Sequence, residues 1–459
     1  MADQPRRGAV GRVAAFLSPG TGPGFRELSA EAGWYPLVII TTLNVVDELD
    51  RAVLAVFGPN LKRYFGMDNA TLGALVGLQV LAILVLAVPV GYWSSRMDRA
   101  RMLRWSAVIW SAFSFATSFA VRLPVFFVAR IGTGIGKAAV EPVGRSLLTD
   151  YYPPTGWNRV LAVHSAANPL GGLLGPAMAG ALALFVDGDG IWRWAFPLLT
   201  IPSVLALLAA RRLHEPESQM VKTMTGAMLT VTGAPKDMGF WPSVRRLLEI
   251  RTFRRQLVGI AVLGFGLVGL LTFFNVFLED EFGLDEAQRG LVGMLTASAA
   301  LLGNLIGGNV GERIFEQSPR RAVQMVGVSI AAFSVVFGVG VFIPLLPVFL
   351  MMAWFGVLAL SIGTAPLFAA MSAITPPQLR ALMFALLGVV IALFGGVTGG
   401  VLVGLIADAS STQLGLATLA PMGIIGGLLM SRGAATIEDD IARVAAELAG
   451  EAPAPTTAG

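Results

Sequence analysis

Residues 258–278 run Val258-Gly-Ile-Ala-Val-Leu-Gly-Phe-Gly-Leu-Val-Gly-Leu-Leu-Thr-Phe-Phe-Asn-Val-Phe-Leu278 without a charged side chain. A helix rises about 1.5 Å per residue, so roughly 20 apolar residues cross the hydrocarbon of a bilayer. The stretches 322–377 and 381–407 are equally uncharged, and the first is long enough to cross twice. Lipid offers no hydrogen bonds, so each stretch must satisfy its own backbone, which makes it helical. The alternating pattern of a membrane barrel strand is not seen. Only 14% of the 459 residues are charged, whereas soluble domains carry about 25%.

The composition excludes several classes. Cysteine is absent, so there is no disulfide, thiolate metal site or cysteine nucleophile. His164 and His214 are the only histidines, too few for a histidine metal centre. No nucleotide loop or catalytic triad is visible, and neither an enzymatic activity nor a cofactor is expected. The formal charge of +4 comes from residues between apolar stretches, which points to membrane topology and not to nucleic acid. Arginine greatly outnumbers lysine, as in a GC-rich bacterial genome.

The pattern predicts an all-α membrane protein with twelve spans: 35–58, 71–93, 103–121, 124–150, 160–186, 193–210, 256–278, 288–310, 322–343, 345–374, 381–407 and 412–430. Loops after even spans are basic, and the loop after span seven is acidic. The positive-inside rule therefore places both termini in the cytoplasm, in a bacterial inner membrane. The expected units are a cytoplasmic segment 1–33 with a short surface helix near Phe25–Ala32, a six-helix bundle 34–210, a linker 211–255, a second bundle 256–431 and a tail 432–459. The linker holds an amphipathic helix over Pro242–Ile250. The two bundles repeat one another. Leu61-Lys-Arg-Tyr-Phe-Gly-Met-Asp68 resembles Leu278-Glu-Asp-Glu-Phe-Gly-Leu-Asp285. Pro153-Pro154, Arg159 and Gly171-Gly172-x-x-Gly175 recur as Pro376-Pro377, Arg380 and Gly395-Gly396-x-x-Gly399. The displacement is 217 to 224 positions. Parallel six-helix repeats place a substrate site between them, near the midplane.

Ionisable groups inside spans are costly and usually face a cavity or a partner. Span one carries Asp47, Glu48, Asp50 and Arg51; span four carries Arg130, Lys137, Glu141 and Arg145. Asp47, Asp50 and Arg51 share one helix face, and so do the four groups of span four. Counted from the outer ends, Asp50 and Arg130 lie roughly 9–12 Å deep, Asp47 roughly 16 Å and Lys137 roughly 20 Å. The two stripes therefore meet, either as a structural ion-pair cluster or as one wall of a cavity. Lys137 is expected to pair with Asp47 or Glu48. His164 and Asn168 share a face in span five, above a glycine-rich stretch that allows close packing. The second half offers mainly Asn275, Asn304, Asn309 and aromatics such as Phe273, Phe274, Trp354, Phe355 and Phe394; most of those aromatics should pack or face lipid. A cavity charged on one wall and apolar on the other suits an amphiphile.

The repeat, topology and motifs together resemble the major facilitator superfamily along essentially the whole chain. Gly91-Tyr-Trp-Ser-Ser-Arg96-Met-Asp98-Arg99-Ala-Arg101 is similar to its signature loop between spans two and three, although Ser95 stands where the family usually has an acid. Within it, Asp47-Glu-Leu-Asp50-Arg51, Arg130-Ile-Gly-Thr-Gly-Ile-Gly-Lys137-Ala138, Leu148-Thr-Asp150-Tyr-Tyr-Pro153 and Arg251-Thr-Phe-Arg254 resemble Spinster-like lipid transporters, with Lys137 in place of the family's Glu. Gly175-Pro176-Ala-Met-Ala-Gly180 is similar to an antiporter motif of drug exporters. The resemblance implies a proton-linked transporter of an amphiphile. Asp50 would carry the proton, assisted by Asp47 and Glu48. Arg51, Arg130, Lys137, Glu141, His164, Asn168, Asn275 and Trp354 would serve substrate binding or charge relay. Arg96, Asp98, Arg99 and Asp150 would form an inner latch. Two other readings stay open: a drug antiporter, and a non-transporting subunit that binds a protein partner through the amphipathic tail 434–449. A monomer is expected.

Overall fold

The computed structural model describes residues 33–67, 69–186, 188, 190–216, 220–222, 228–230, 239–284, 286–394, 403, 405, 406 and 409–448. The segment before Gly33, both aspartates that close the first repeat motif, and Gly395, Gly396 and Gly399 lie outside these residues.

The described chain forms twelve spans. The first half comprises Tyr35–Val56, Asn69–Trp93, Arg99–Thr117, Leu123–Tyr151, the pair Trp157–Ser165 and Ala167–Ala183, and Trp192–Ala210. The second comprises Arg251–Phe282, Glu286–Gln317, Pro319–Gly340, Leu346–Ala373, Pro377–Phe394 with helical residues beyond it, and Thr412–Ala435. Among the described residues, seven of these are long and apolar enough to cross a membrane. Span one is long enough at 22 residues but carries Asp47, Glu48, Asp50 and Arg51 in its second half. Among the described residues, a small antiparallel hairpin in the linker, Met220–Lys222 with Met228–Thr230, is the exception to the helical rule.

Proline breaks four spans in the same way. Span four turns at Ala138 and Ala139, span five at Ala166, span ten at Gly363 and span twelve at Thr418. Pro142, Pro169, Pro366 and Pro421 lie three or four residues beyond each turn. Proline has no N–H to give, and its ring collides with the carbonyl four residues back, so the ladder opens there. Pro142 and Pro366 are 224 positions apart, so the kinks obey the internal repeat. The kink in span four lies between Lys137 and Glu141 and aims both at the cavity.

Two glycines bring the charged spans into register. A Cβ on Gly136 would sit 2.4 Å from the Trp110 nitrogen, so span four lies directly against span three. A Cβ on Gly171 would sit 2.5 Å from Cβ of Glu48, so span five presses on span one at the site itself.

One apolar core joins the halves. Trp157 and Leu161 of span five pack in the same cluster as Phe368 and Met371 of span ten and Leu382 and Phe384 of span eleven. This seam lies toward the face that carries the basic loops. The linker helix Phe240–Glu249 adds Leu247, and the final helix Ile437–Leu448 adds Ile437. The tail is held further by an Arg246–Glu447 ion pair and by the Thr252 N–H donating to Asp440 Oδ2 at 2.8 Å.

Candidate functional site

Spans one and four meet as their spacing requires. Asp50 is fully buried: Oδ1 accepts from Ser114 Oγ at 2.8 Å, and Oδ2 accepts from Arg130 Nη2 and Lys137 Nζ, each at 2.8 Å. Lys137 Nζ also lies 2.6 Å from Asp47 Oδ1, close in distance but off the hydrogen-bond direction, and it donates to the Asp47 carbonyl at 3.2 Å. The partners of Lys137 are thus Asp47 and Asp50, not Glu48. The Trp110 ring lies 5.7 Å from the ammonium, and Phe196 lies under the Arg130 guanidinium. Arg51 reaches back along its own helix to Asp47 Oδ2 at 2.9 Å and Glu48 Oε1 at 3.1 Å. Removing one partner from such a buried set costs about 3–5 kcal/mol, because the other charge is left uncompensated.

Above this cluster lies a cavity of about 440 Å³ between the halves. Glu48, Arg51, Lys137, Glu141 and Arg145 form its first-half wall, with Ser165 and Asn168. Its second-half wall is made by Asn304, Ser361, Thr364, Phe368, Phe384 and Leu387. Arg145 pairs with Glu141 at 2.7 Å and lies 3.9 Å over the ring of Phe368, so a cation of one half rests on an aromatic of the other. Asp47, Asp50 and Arg130 are sealed beneath the lining.

Other expected residues divide. Asn168 lines the cavity. His164 is fully buried outside the lining, and neither ring nitrogen has a hydrogen-bond partner among the described residues. Trp354 is not in the lining; its indole N–H donates to Ser298 Oγ at 3.2 Å. Phe274 packs on Phe337 and Phe349, while Phe355 is exposed. The Asn275 side chain lies outside the described residues.

Of the four residues expected at an inner latch, Arg99 and Asp150 pair with one another. Arg99 Nη1 lies 2.5 Å from Asp150 Oδ2, and its Nη2 lies 2.5 Å from Glu215 Oε1. The second oxygen of Asp150 meets Arg380 of the other half, whose guanidinium covers the Trp157 ring. Arg96 instead lies over the Tyr92 ring, and Asp98 caps the following helix by accepting from the Arg101 N–H. A second crossing joins Arg159 Nε to Glu312 Oε2 at 3.3 Å. Arg159 and Arg380 are repeat mates, so the seam is pinned by related arginines on opposite sides. Glu312-Arg313 stands 217 positions after Ser95-Arg96. The acid missing from the first half is therefore present in the second, a signal available in the repeat.

The sequence profile described as the Major Facilitator Superfamily matches residues 40–279 and 256–449. The chain belongs to that superfamily. Members of this superfamily are transporters, not enzymes, and this one is related to the Spinster proteins. Protein spinster homolog 3 of Danio rerio is 23% identical over 94% of this chain and 91% of its own. A probable L-galactonate transporter of Escherichia coli K12 is also 23% identical, over 58% of this chain and only 58% of its own length. Among solved structures, a bacterial homolog to the human lysosomal transporter Spinster, inward-facing and unoccupied, aligns with a TM-score of 0.59 at 19% identity, covering 88% of this chain and 98% of its own. That likeness concerns the fold.

Proposed function

We propose that this protein is a secondary transporter that moves an amphiphilic or lipid-like small molecule across a bacterial inner membrane by alternating access, linked to protons. The observation that carries this reading is the cavity with unlike walls. A charged wall can hold a polar head, while Phe368, Phe384 and Leu387 offer apolar surface to a tail. The ion pairs across the seam supply the device that must break for the cavity to open toward the basic-loop face, which we take as cytoplasmic together with both termini.

Among the span-one carboxylates, Glu48 lines the cavity, whereas Asp50 has both oxygens engaged by Ser114, Arg130 and Lys137. A proton carrier must reach solvent, and this favours Glu48 over Asp50. Asp47 and Asp50 then act as fixed counter-ions. A drug antiporter remains the second reading, because the span-five motif Gly175-Pro176-Ala-Met-Ala-Gly180 favours it. The partner-binding reading has less support, since the tail's Ile437 and Val444 are buried against the body. The test is flux of oleoyl lysophosphatidylglycerol in liposomes holding the purified protein, with and without a proton gradient. Saturable, gradient-driven flux is expected; a protein that binds the probe but never moves it would be a sensor.

A further inference from the structure

Spans one and four bring eight ionisable groups together, four acids and four bases: Asp47, Glu48, Asp50 and Glu141 against Arg51, Arg130, Lys137 and Arg145. Each lies 3.1 Å or less from an opposite charge. Among the described residues, spans two, five, eight, ten and eleven add no charged side chain to the cavity lining. His164 on span five is fully buried, is not part of the lining and counts as neutral in the formal charge. The sum is zero, and Lys137 is decisive, because an acid in its place would leave two negative charges.

A buried site of low dielectric penalises net charge. Starting from zero, a bound monoanion alone leaves −1 and a bound proton alone leaves +1. Only both together restore neutrality. An exchanger of protons for cations needs a different resting sum. From zero it would alternate between two loaded states that each carry +1; from −1 both would be neutral. The count therefore separates co-transport of an anion from cation antiport. Arg145 is placed to meet the anion: it lines the cavity, its Nε has no hydrogen-bond partner among the described residues, and its only ion pair there is with Glu141 of its own helix. Arg51 also lines the cavity and is the most open of the four bases, with 44% of its side chain exposed.

We propose, resting on the transporter reading above, that the cargo is an amphiphile of one net negative charge and that it enters with one proton. Arg145 and Arg51 receive the head, and Glu48 takes the proton as its carboxylate becomes a carboxyl. The loaded cavity is then electroneutral.

The experiment compares oleoyl lysophosphatidylglycerol, a monoanion, with oleoyl lysophosphatidylcholine, a zwitterion with the same chain. Binding to the purified full-length protein is followed by tryptophan fluorescence, and proton uptake by calorimetry in buffers of different ionisation heat. The anion is expected to bind about tenfold tighter at mildly acidic pH, to take up one proton, and to lose this advantage at alkaline pH. Its flux in liposomes should not respond to a clamped membrane potential. Arg145→Gln should abolish the preference for the anion, and Arg145→Lys should keep it. Glu48→Gln should bind the anion equally at all pH values with no proton uptake. Equal binding of the two lipids, no proton uptake, or potential-driven flux overturns the charge inference. If saturable flux persists in that case, the transporter reading survives. If neither lipid binds or crosses, the amphiphile reading fails and takes this inference with it.

Discussion

The two walls of the cavity come from repeats of one six-helix plan, yet they share almost no chemistry. With Pro142 set against Pro366, Lys137 corresponds to Ser361, Glu141 to Ala365 and Arg145 to Ala369. The kink is kept while each of these three charges is replaced by a small side chain. Backbone geometry at these positions is held by proline and by close helix contact, neither of which depends on what points into the cavity. The first half thus bears the electrostatics, and the second presents Phe368, Phe384 and Leu387 to whatever the first half holds. The seam shows the opposite behaviour, because Arg159 and Arg380 retain both their repeat positions and their role of reaching across.

The comparison breaks most sharply at Asp50. Asp50→Ala strands Arg130 and Lys137 and should cost about 3–5 kcal/mol of stability. Thermal unfolding in detergent reads this directly. Pairing Asp50→Asn with Lys137→Met should recover much of the loss, because opposite charges leave together. A fully stable Asp50→Ala would mean that the cluster is not what holds spans one and four.

Glu48→Gln comes next. The protein should stay folded and lose most of its proton-driven flux, along with the pH response. An unchanged pH profile in liposomes would return the proton to another acid, Asp50 first. The seam should respond more modestly. Because the chain has no cysteine, a single Ser165→Cys reporter can be labelled cleanly. Arg159→Ala should raise its labelling by an impermeant maleimide from the basic-loop side by about fivefold, a shift of roughly 1 kcal/mol. Exchanging the charges, Arg159→Glu with Glu312→Arg, should bring labelling back toward the parent. The smallest effect belongs to the second wall. Thr364→Val should change substrate affinity by no more than about tenfold, the scale of one hydrogen bond, and Trp354→Phe should change it less, being outside the lining.

Much of this was legible beforehand because it depends on local physics. Uncharged stretches of span length had to be helices, and the helical period put Asp47, Asp50 and Arg51 of span one on one face and the charged groups of span four on another. Depth followed from the rise per residue, so their meeting was foreseeable, as was the contrast between a charged and an apolar wall. Arg99 with Asp150 was visible as a charged loop next to a charged helix end.

The partner of each charge was not legible. A helical period gives the face of a residue, but not how that helix is rotated against its neighbours. Lys137 could have met Glu48; the close approach of Gly136 to Trp110 and the proline kink after it bring the ammonium to Asp47 and Asp50 instead. That same packing seals Asp50 and leaves Glu48 in the lining. Arg145 on Phe368, Asp150 with Arg380 and Arg159 with Glu312 join residues more than 150 positions apart. Such pairs exist only once two bundles dock, so their geometry belongs to the tertiary structure. The sequence by itself determined twelve helices, their repeat and the charges placed within them; docking decided which of those charges face the cavity, which are buried beneath it and which hold the two halves together.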